Sequence, residues 1–254
     1  MVTAGVDVGA ETIKIIILKD NKIAGCSIVK AGFELRKACD EALELALSKT
    51  NLSCSDISQS IATGVGRKEA SYAGDSVTEI VADARGAVWL SPQVRTVIDV
   101  GAEEGRAIHC DNTGKVIGYV KNDKCAAGVG AFIETMARVL EVTIEEMGIL
   151  SQQSSRDISL DATCAVFAES DVISLIHANT PKPDIARAIH ESITMRITSM
   201  IRRVGMEKDI MFLGGVAKNV GVIQSLKQHL GMEIIVPEEP QIMTALGAAL
   251  IAQG

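Results

Sequence analysis

The strongest constraint on this chain is a short turn that occurs twice. Residues 6–11 read Val6-Asp7-Val8-Gly9-Ala10-Glu11, with Lys14 following. Ninety-two positions further on (residue 99 against residue 7) the chain reads Ile98-Asp99-Val100-Gly101-Ala102-Glu103, with Arg106 following. Each copy ends an apolar, strand-like run, Val2–Val8 and Val94–Val100. Each leads into a second apolar segment (Ile13–Leu18, Ala107–Cys110), a polar pair (Asp20-Asn21, Asp111-Asn112) and a third strand (Lys22–Val29, Lys115–Tyr119). Turn residues between apolar runs mark hairpins, so each copy predicts a three-stranded meander with Asp-x-Gly at its first turn. The spacing is too long for a solenoid, and a near-identity in matched contexts points to duplication rather than two unrelated hairpins.

Two such meanders resemble the layout of the actin-like ATPases. The expected fold is therefore α/β, actin-like (ribonuclease H-like), with two duplicated lobes around a nucleotide cleft. Residues 1–92 plus 241–254 are expected to form the first lobe, and residues 93–240 the second. Apolar residues at helical spacing predict helices over Leu35–Ser48, Val77–Leu90, Ala131–Leu140, Ile185–Val204, Val220–Leu230 and Met243–Ala252. Two more strands are expected at Asp209–Leu213 and Glu233–Val236, and the last helix is expected to pack on the first lobe.

Composition narrows the function. The 254 residues are 47% hydrophobic and 22% charged, enough to build one or two sizeable cores. A net charge of −7 without a basic run argues against a nucleic-acid surface, and 3% aromatic residues argue against base stacking. No basic segment leads an apolar one at the start, so no secretory signal is predicted. The longest apolar stretch, Ala245 to Ala252, is far short of the roughly 20 residues that cross a bilayer. A cytoplasmic protein without membrane or nucleic-acid partners is the expectation. Its six cysteines are then reduced, and those that matter are ligands or nucleophiles.

Asp-x-Gly between strands suits phosphate chemistry. Asp7 and Asp99 are carboxylates at strand ends, able to hold Mg²⁺ through water, and Glu103 is a candidate for the same reaction centre. Gly9, Ala10, Glu11 and Thr12, with Gly101 and Ala102 in the second copy, form loops whose backbone can approach phosphate oxygens closely. Lys14 adds a point charge. A third element runs Phe212-Leu213-Gly214-Gly215-Val216-Ala217-Lys218-Asn219, a strand ending in two glycines before a helix. Gly214, Gly215, Val216 and Asn219 are candidates for holding adenosine near that helix start. The loop Ala62-Thr63-Gly64-Val65-Gly66-Arg67 carries less weight, because glycine-rich loops are common.

Two cysteines stand in unusual surroundings. Cys125 lies in Asn122-Asp123-Lys124-Cys125-Ala126-Ala127-Gly128-Val129-Gly130, just before an expected helix. Cys164 lies among small residues in Asp161-Ala162-Thr163-Cys164-Ala165-Val166-Phe167-Ala168-Glu169-Ser170. A thiolate before a helix N-terminus is stabilised by the dipole, and small neighbours permit N–H···S hydrogen bonds. Two ligands leave a four-thiolate site half built, and a two-fold dimer is the simplest closure. Against this, free cysteines are commonly small buried hydrophobes, and no CxxC spacing is present.

These three segments, Asn122–Gly128, Cys164–Ser170 and Gly214–Asn219, closely resemble the activator family of 2-hydroxyacyl-CoA dehydratases. The ATPase subunits of benzoyl-CoA reductase and the reductases of double-cubane cluster proteins belong to the same group. The similarity runs nearly end to end. It implies a homodimer sharing one 4Fe–4S cluster, held by Cys125 and Cys164 of each chain, and one ATP/ADP site with Mg²⁺ per protomer. It also implies ATP-coupled transfer of single low-potential electrons to an iron–sulfur acceptor, whether dehydratase, reductase or double-cubane protein, with a ferredoxin or flavodoxin as donor. The loops depart from the family in detail. Where its first loop carries Asp-x-Gly-Ser-Thr, this chain has Ala10 and Glu11 before Thr12. Where its second carries Gly-Gly-Gln-Asp, this chain has Gly101-Ala102-Glu103-Glu104. The competing readings are a small-molecule kinase and an actin-like filament scaffold, and neither explains the setting of Cys125 and Cys164.

Overall fold

The computed structural model describes residues 1–122, 130–160 and 165–254, with the backbone alone at 165 and 166. Cys125 and Cys164 lie outside the described residues. The chain divides into two units: Met1–Val97 with Cys110–Ile117 and Gln241–Gly254, and Ile98–His109 with Gly118–Pro240. The division expected at residue 92 is drawn at residue 97, and the turn at 110–117 joins the first unit. There the Thr113 carbonyl accepts a hydrogen bond from Arg85, and Gly114 lies against the Arg85 backbone.

The first unit opens with the expected meander, β1 (Val2–Val8), β2 (Thr12–Lys19) and β3 (Lys22–Lys30), all antiparallel. The Asp20-Asn21 turn adopts positive φ at both residues, the conformation a two-residue hairpin with right-handed twist demands. Two parallel strands not expected from the sequence extend the sheet: β4 (Gln59–Thr63) beside β1, and the short β5 (Asp75–Ser76) beside β4. The sheet order is β3-β2-β1-β4-β5.

Helix α1 (Leu35–Ser48) covers one face of this sheet, where Ala38, Cys39, Ala42, Leu43 and Ala46 meet Val6, Val8, Ile13, Ile15 and Ile17. Helices α2 (Glu79–Leu90) and α8 (Met243–Ile251) pack together in the same unit. Small residues let α8 lie close to β1, and the Thr3 hydroxyl donates to the Ala249 carbonyl at 2.9 Å. The last helix thus belongs to the first unit, as expected.

A second sheet, ordered β8-β7-β6-β9, contains the second copy of the repeat. Its strands are β6 (Thr96–Val100), β7 (Gly105–Cys110), β8 (Val116–Asn122) and β9 (Ile210–Leu213). The strand expected at Glu233–Val236 is corrected to a single parallel bridge, Met211 with Ile235.

The second unit adds α3 (Gly130–Val139), α4 (Ile144–Ser151), α5 (Ala165–His177), the long α6 (Lys182–Val204) and α7 (Val220–Leu230). Ile189, Ile193 and Ile197 of α6 share a core with Ile98, Val100, Phe132, Met136, Met147 and Phe212. Neither α4 nor α5 was expected from the sequence. A capping box starts α4: the Thr143 hydroxyl accepts from the Glu146 amide, and the Glu146 carboxylate accepts from the Thr143 amide. None of the described helices is long and apolar enough to cross a membrane.

Candidate functional site

In the first unit, antiparallel register sets Asp7 opposite Lys14. Lys14 Nζ stands 3.1 Å from Asp7 Oδ2, with both side chains largely covered. The intervening turn closes through a Gly9 amide donating to the Thr12 carbonyl at 3.1 Å. Ala10 and Glu11 are exposed at its tip, while Gly9 and Thr12 are half-buried. The Gly9 amide is therefore spent on the turn, and the tip offers Ala10–Thr12 to a ligand.

The second unit repeats this geometry. Arg106 approaches Asp99 at 3.2 Å, and the Gly101 amide donates to the Glu104 carbonyl at 2.9 Å. Glu103 is exposed, whereas Glu104 is held by Lys121 at 2.9 Å and lies 4.0 Å from Arg106. The start of α3 is stitched to this turn: the amides of Gly130 and Ala131 donate to the carbonyls of Gly101 and Ala102 at 2.8 and 3.0 Å.

One glycine in each unit completes the likeness. Gly64 has φ 92° and Gly214 φ 85°, in the left-handed region that side chains disfavour. A Cβ on Gly64 would overlap the Val8 carbonyl and crowd an Asp7 carboxylate oxygen. A Cβ on Gly214 would overlap the Val100 carbonyl and the matching oxygen of Asp99. Each aspartate thus has a cation on one side and bare backbone on the other. The Ala62–Arg67 loop, given little weight in the sequence, is the first unit's counterpart of Gly214-Gly215. Thr63, register partner of Asp7, is fully buried and its hydroxyl has no partner among the described residues. Arg106, Gly64 and Thr63 are site candidates that the sequence did not single out; the repeated basic residue at position 106 was the available signal.

Gly214 is half-buried, its amide donating to the Pro240 carbonyl at 3.0 Å, and Gly215 is exposed. Val216 packs its side chain into the core, and its carbonyl accepts from the Asn219 amide at 3.0 Å. Asn219 is buried and occupied: its Oδ1 accepts from the Gly221 and Val222 amides at 2.9 and 3.2 Å, capping α7. Its Nδ2 faces Nε2 of His190 at 3.3 Å. Since an amide nitrogen only donates, His190 Nε2 is the acceptor and Nδ1 carries the proton. Burial pushes this imidazole's pKa down to about 4, so it is neutral.

Residues 4–252 match the BadF/BadG/BcrA/BcrD ATPase family. The activator of lactoyl-CoA dehydratase from Anaerotignum propionicum is 41% identical over 99% of this chain and 97% of its own. Component A of (R)-2-hydroxyglutaryl-CoA dehydratase from Acidaminococcus fermentans superposes with a TM-score of 0.95 at 38% identity, covering 99% of this chain and 97% of that one. The Clostridium difficile activator of 2-hydroxyisocaproyl-CoA dehydratase, solved with bound ADPNP, gives 0.92 at 37% identity, covering 99% and 94%. With its duplicated Asp-x-Gly turns and this end-to-end match, the chain has the actin-like fold and belongs to the BadF/BadG/BcrA/BcrD ATPase family.

Proposed function

We propose that this chain is an ATP-dependent electron activase that delivers single low-potential electrons to an iron–sulfur partner enzyme, a 2-hydroxyacyl-CoA dehydratase, benzoyl-CoA reductase or double-cubane cluster protein. The observation that carries the reading is the paired turn, Asp7 with Lys14 and Asp99 with Arg106, in a chain whose relatives are activating ATPases.

In this reading Asp7 and Asp99 would each hold Mg²⁺ through water, and Lys14 would meet the phosphates beside the Ala10–Thr12 turn. Gly214 and Gly215 give backbone approach for the nucleoside. Exposed Glu103 positions the attacking water, while Glu104, tied to Lys121, holds the loop. Arg106 keeps Asp99 aimed.

Cys125 and Cys164 of each protomer would hold one 4Fe–4S cluster between two copies. The donor set fits, since two thiols per chain become four in a homodimer. Each cysteine precedes a helix in sequence, Cys125 before α3 and Cys164 directly before α5, and these two helices pack together. When bound, the cluster supplies one-electron redox chemistry. A ferredoxin or flavodoxin donor and a cytoplasmic location complete the reading.

The test is anaerobic purification followed by electron transfer to the partner enzyme, with ATP and with a non-hydrolysable analogue. Multi-turnover transfer with ATP alone is the expected result. Equal rates with both, or a colourless iron-free dimer that phosphorylates a small molecule, would sink the proposal.

A further inference from the structure

The capping residue Asn219 leads to a group that the catalytic reading leaves unused. Its side chain spends both ends: Oδ1 on the first amides of α7, Nδ2 on His190 of α6. The Gly221 and Val222 amides already demand the oxygen end of this side chain, and its nitrogen end is turned away from them to His190. His190 gives that nitrogen its acceptor, holding the side chain at both ends.

It is 1% exposed and set in α6, the longest helix, which packs on α4 and α7. The imidazole is also wedged in place, because Gly221 leaves no room for a Cβ between His190 and Ser151. Nδ1 is buried against Gly221 and lacks a partner among the described residues, and His190 forms part of the wall of a groove of about 340 Å³ with Ser151, Gln152, Arg187, Glu191 and Gln228. The Asn219 contact thus sets the tautomer of the ring, and the packing against Gly221 and Ser151 sets its orientation.

We infer that His190 is a positioning residue for nucleotide binding: by accepting from Asn219 Nδ2 it locks the cap of α7, and with it the Gly214–Asn219 turn that meets the nucleotide. The inference rests on the reading of Gly214 and Gly215 as nucleotide-binding. It goes beyond that reading by assigning a role to a residue too deeply buried to touch the ligand. The chain of contacts is short. Asn219 Nδ2 holds His190, Asn219 Oδ1 holds the start of α7, and the Asn219 amide closes on the Val216 carbonyl at 3.0 Å. Loosening the amide loosens the turn.

The test uses the anaerobically purified full-length dimer and measures ADP binding by calorimetry, together with KM and kcat for ATP. His190→Leu removes the acceptor; His190→Gln offers an amide oxygen in its place. Asn219→Ser keeps a cap oxygen but is too short to reach His190. Ile189→Val, the neighbouring core position, trims a methylene without touching Asn219 and controls for loss of stability alone. Expected are ADP affinity and KM for ATP about tenfold worse in His190→Leu and Asn219→Ser, the scale of one buried hydrogen bond, with kcat little changed. Near-native values are expected in His190→Gln and Ile189→Val. The chain has four histidines, so a long-range ¹H–¹⁵N spectrum also resolves His190, which should show the Nδ1–H tautomer. ADP affinity within twofold of wild type in both His190→Leu and Asn219→Ser overturns the inference, as does equal weakening by Ile189→Val. A wild-type protein that fails to bind ADP overturns the nucleotide reading itself, and this inference with it.

Discussion

Arg106 lies 3.2 Å from Asp99, and this pair stands in the second unit where Lys14 and Asp7, 3.1 Å apart, stand in the first. The two pairs differ in what removal would expose. Both members of the Arg106–Asp99 pair are below a tenth exposed, and Glu104 shares the same guanidinium. Taking one partner from a buried pair leaves a charge without compensation, at roughly 3 kcal/mol or more. Arg106→Met should therefore lower unfolding stability by about that amount in urea titration. Arg106→Lys should recover part of it, having charge but no planar fork. A loss below about 1 kcal/mol in Arg106→Met would show the pair to be solvent-screened.

The glycine beside Asp99 makes a sharper prediction. Gly214→Ala combines positive φ with overlap on the Val100 carbonyl, so the strand end must move. Gly231, at φ 64°, has open space around its absent Cβ, so Gly231→Ala carries backbone strain alone, about 1 kcal/mol. Thermal unfolding should rank Gly214→Ala clearly below Gly231→Ala, and only the former should weaken nucleotide binding.

His190 gives the protein an acid-sensitive component of stability. The folded chain holds it near 4, while the unfolded chain binds a proton at the ordinary value of 6.5. The unfolded state therefore takes up protons first as pH falls. The contribution is complete above pH 6.5 and is lost progressively toward pH 4, about 3 kcal/mol in all. The groups lining the groove beside the ring are mostly uncharged. Arg187 and Glu191, on the same helix, are engaged with Asp157 and His229, respectively. Denaturant midpoints measured across this window should slope in wild type and flatten in His190→Gln.

The cysteine assignment separates the two halves of the proposed activity. Cys125→Ser and Cys164→Ser should each strip iron and sulfide from the anaerobic protein and abolish its EPR signal. ADP binding should remain, because the nucleotide elements lie on other segments. Retention of a full cluster in both variants would remove these residues from its ligand set.

Much of the fold was written locally. Alternating apolar residues and the Asp20-Asn21 turn specify the first meander, and α1 and α7 begin and end where their helical periodicity does. The duplicated Asp-x-Gly turns also announced their cations, because a hairpin register fixes which residue faces which across two strands. What the sequence could not state were partners brought from afar. Gln59–Thr63 is too short a run to declare itself, and becomes a strand by lying along β1. Glu233–Val236 has strand-like composition, yet only Ile235 finds a bridging partner. Asn219 read as a ligand contact, and only packing revealed a cap clamped by a histidine 29 residues earlier. Periodicity and turn chemistry act within a few residues and are legible in order. The contacts of Gly64 with Asp7 and of His190 with Asn219 exist only after long loops have closed, when the folded core decides which backbone meets which side chain.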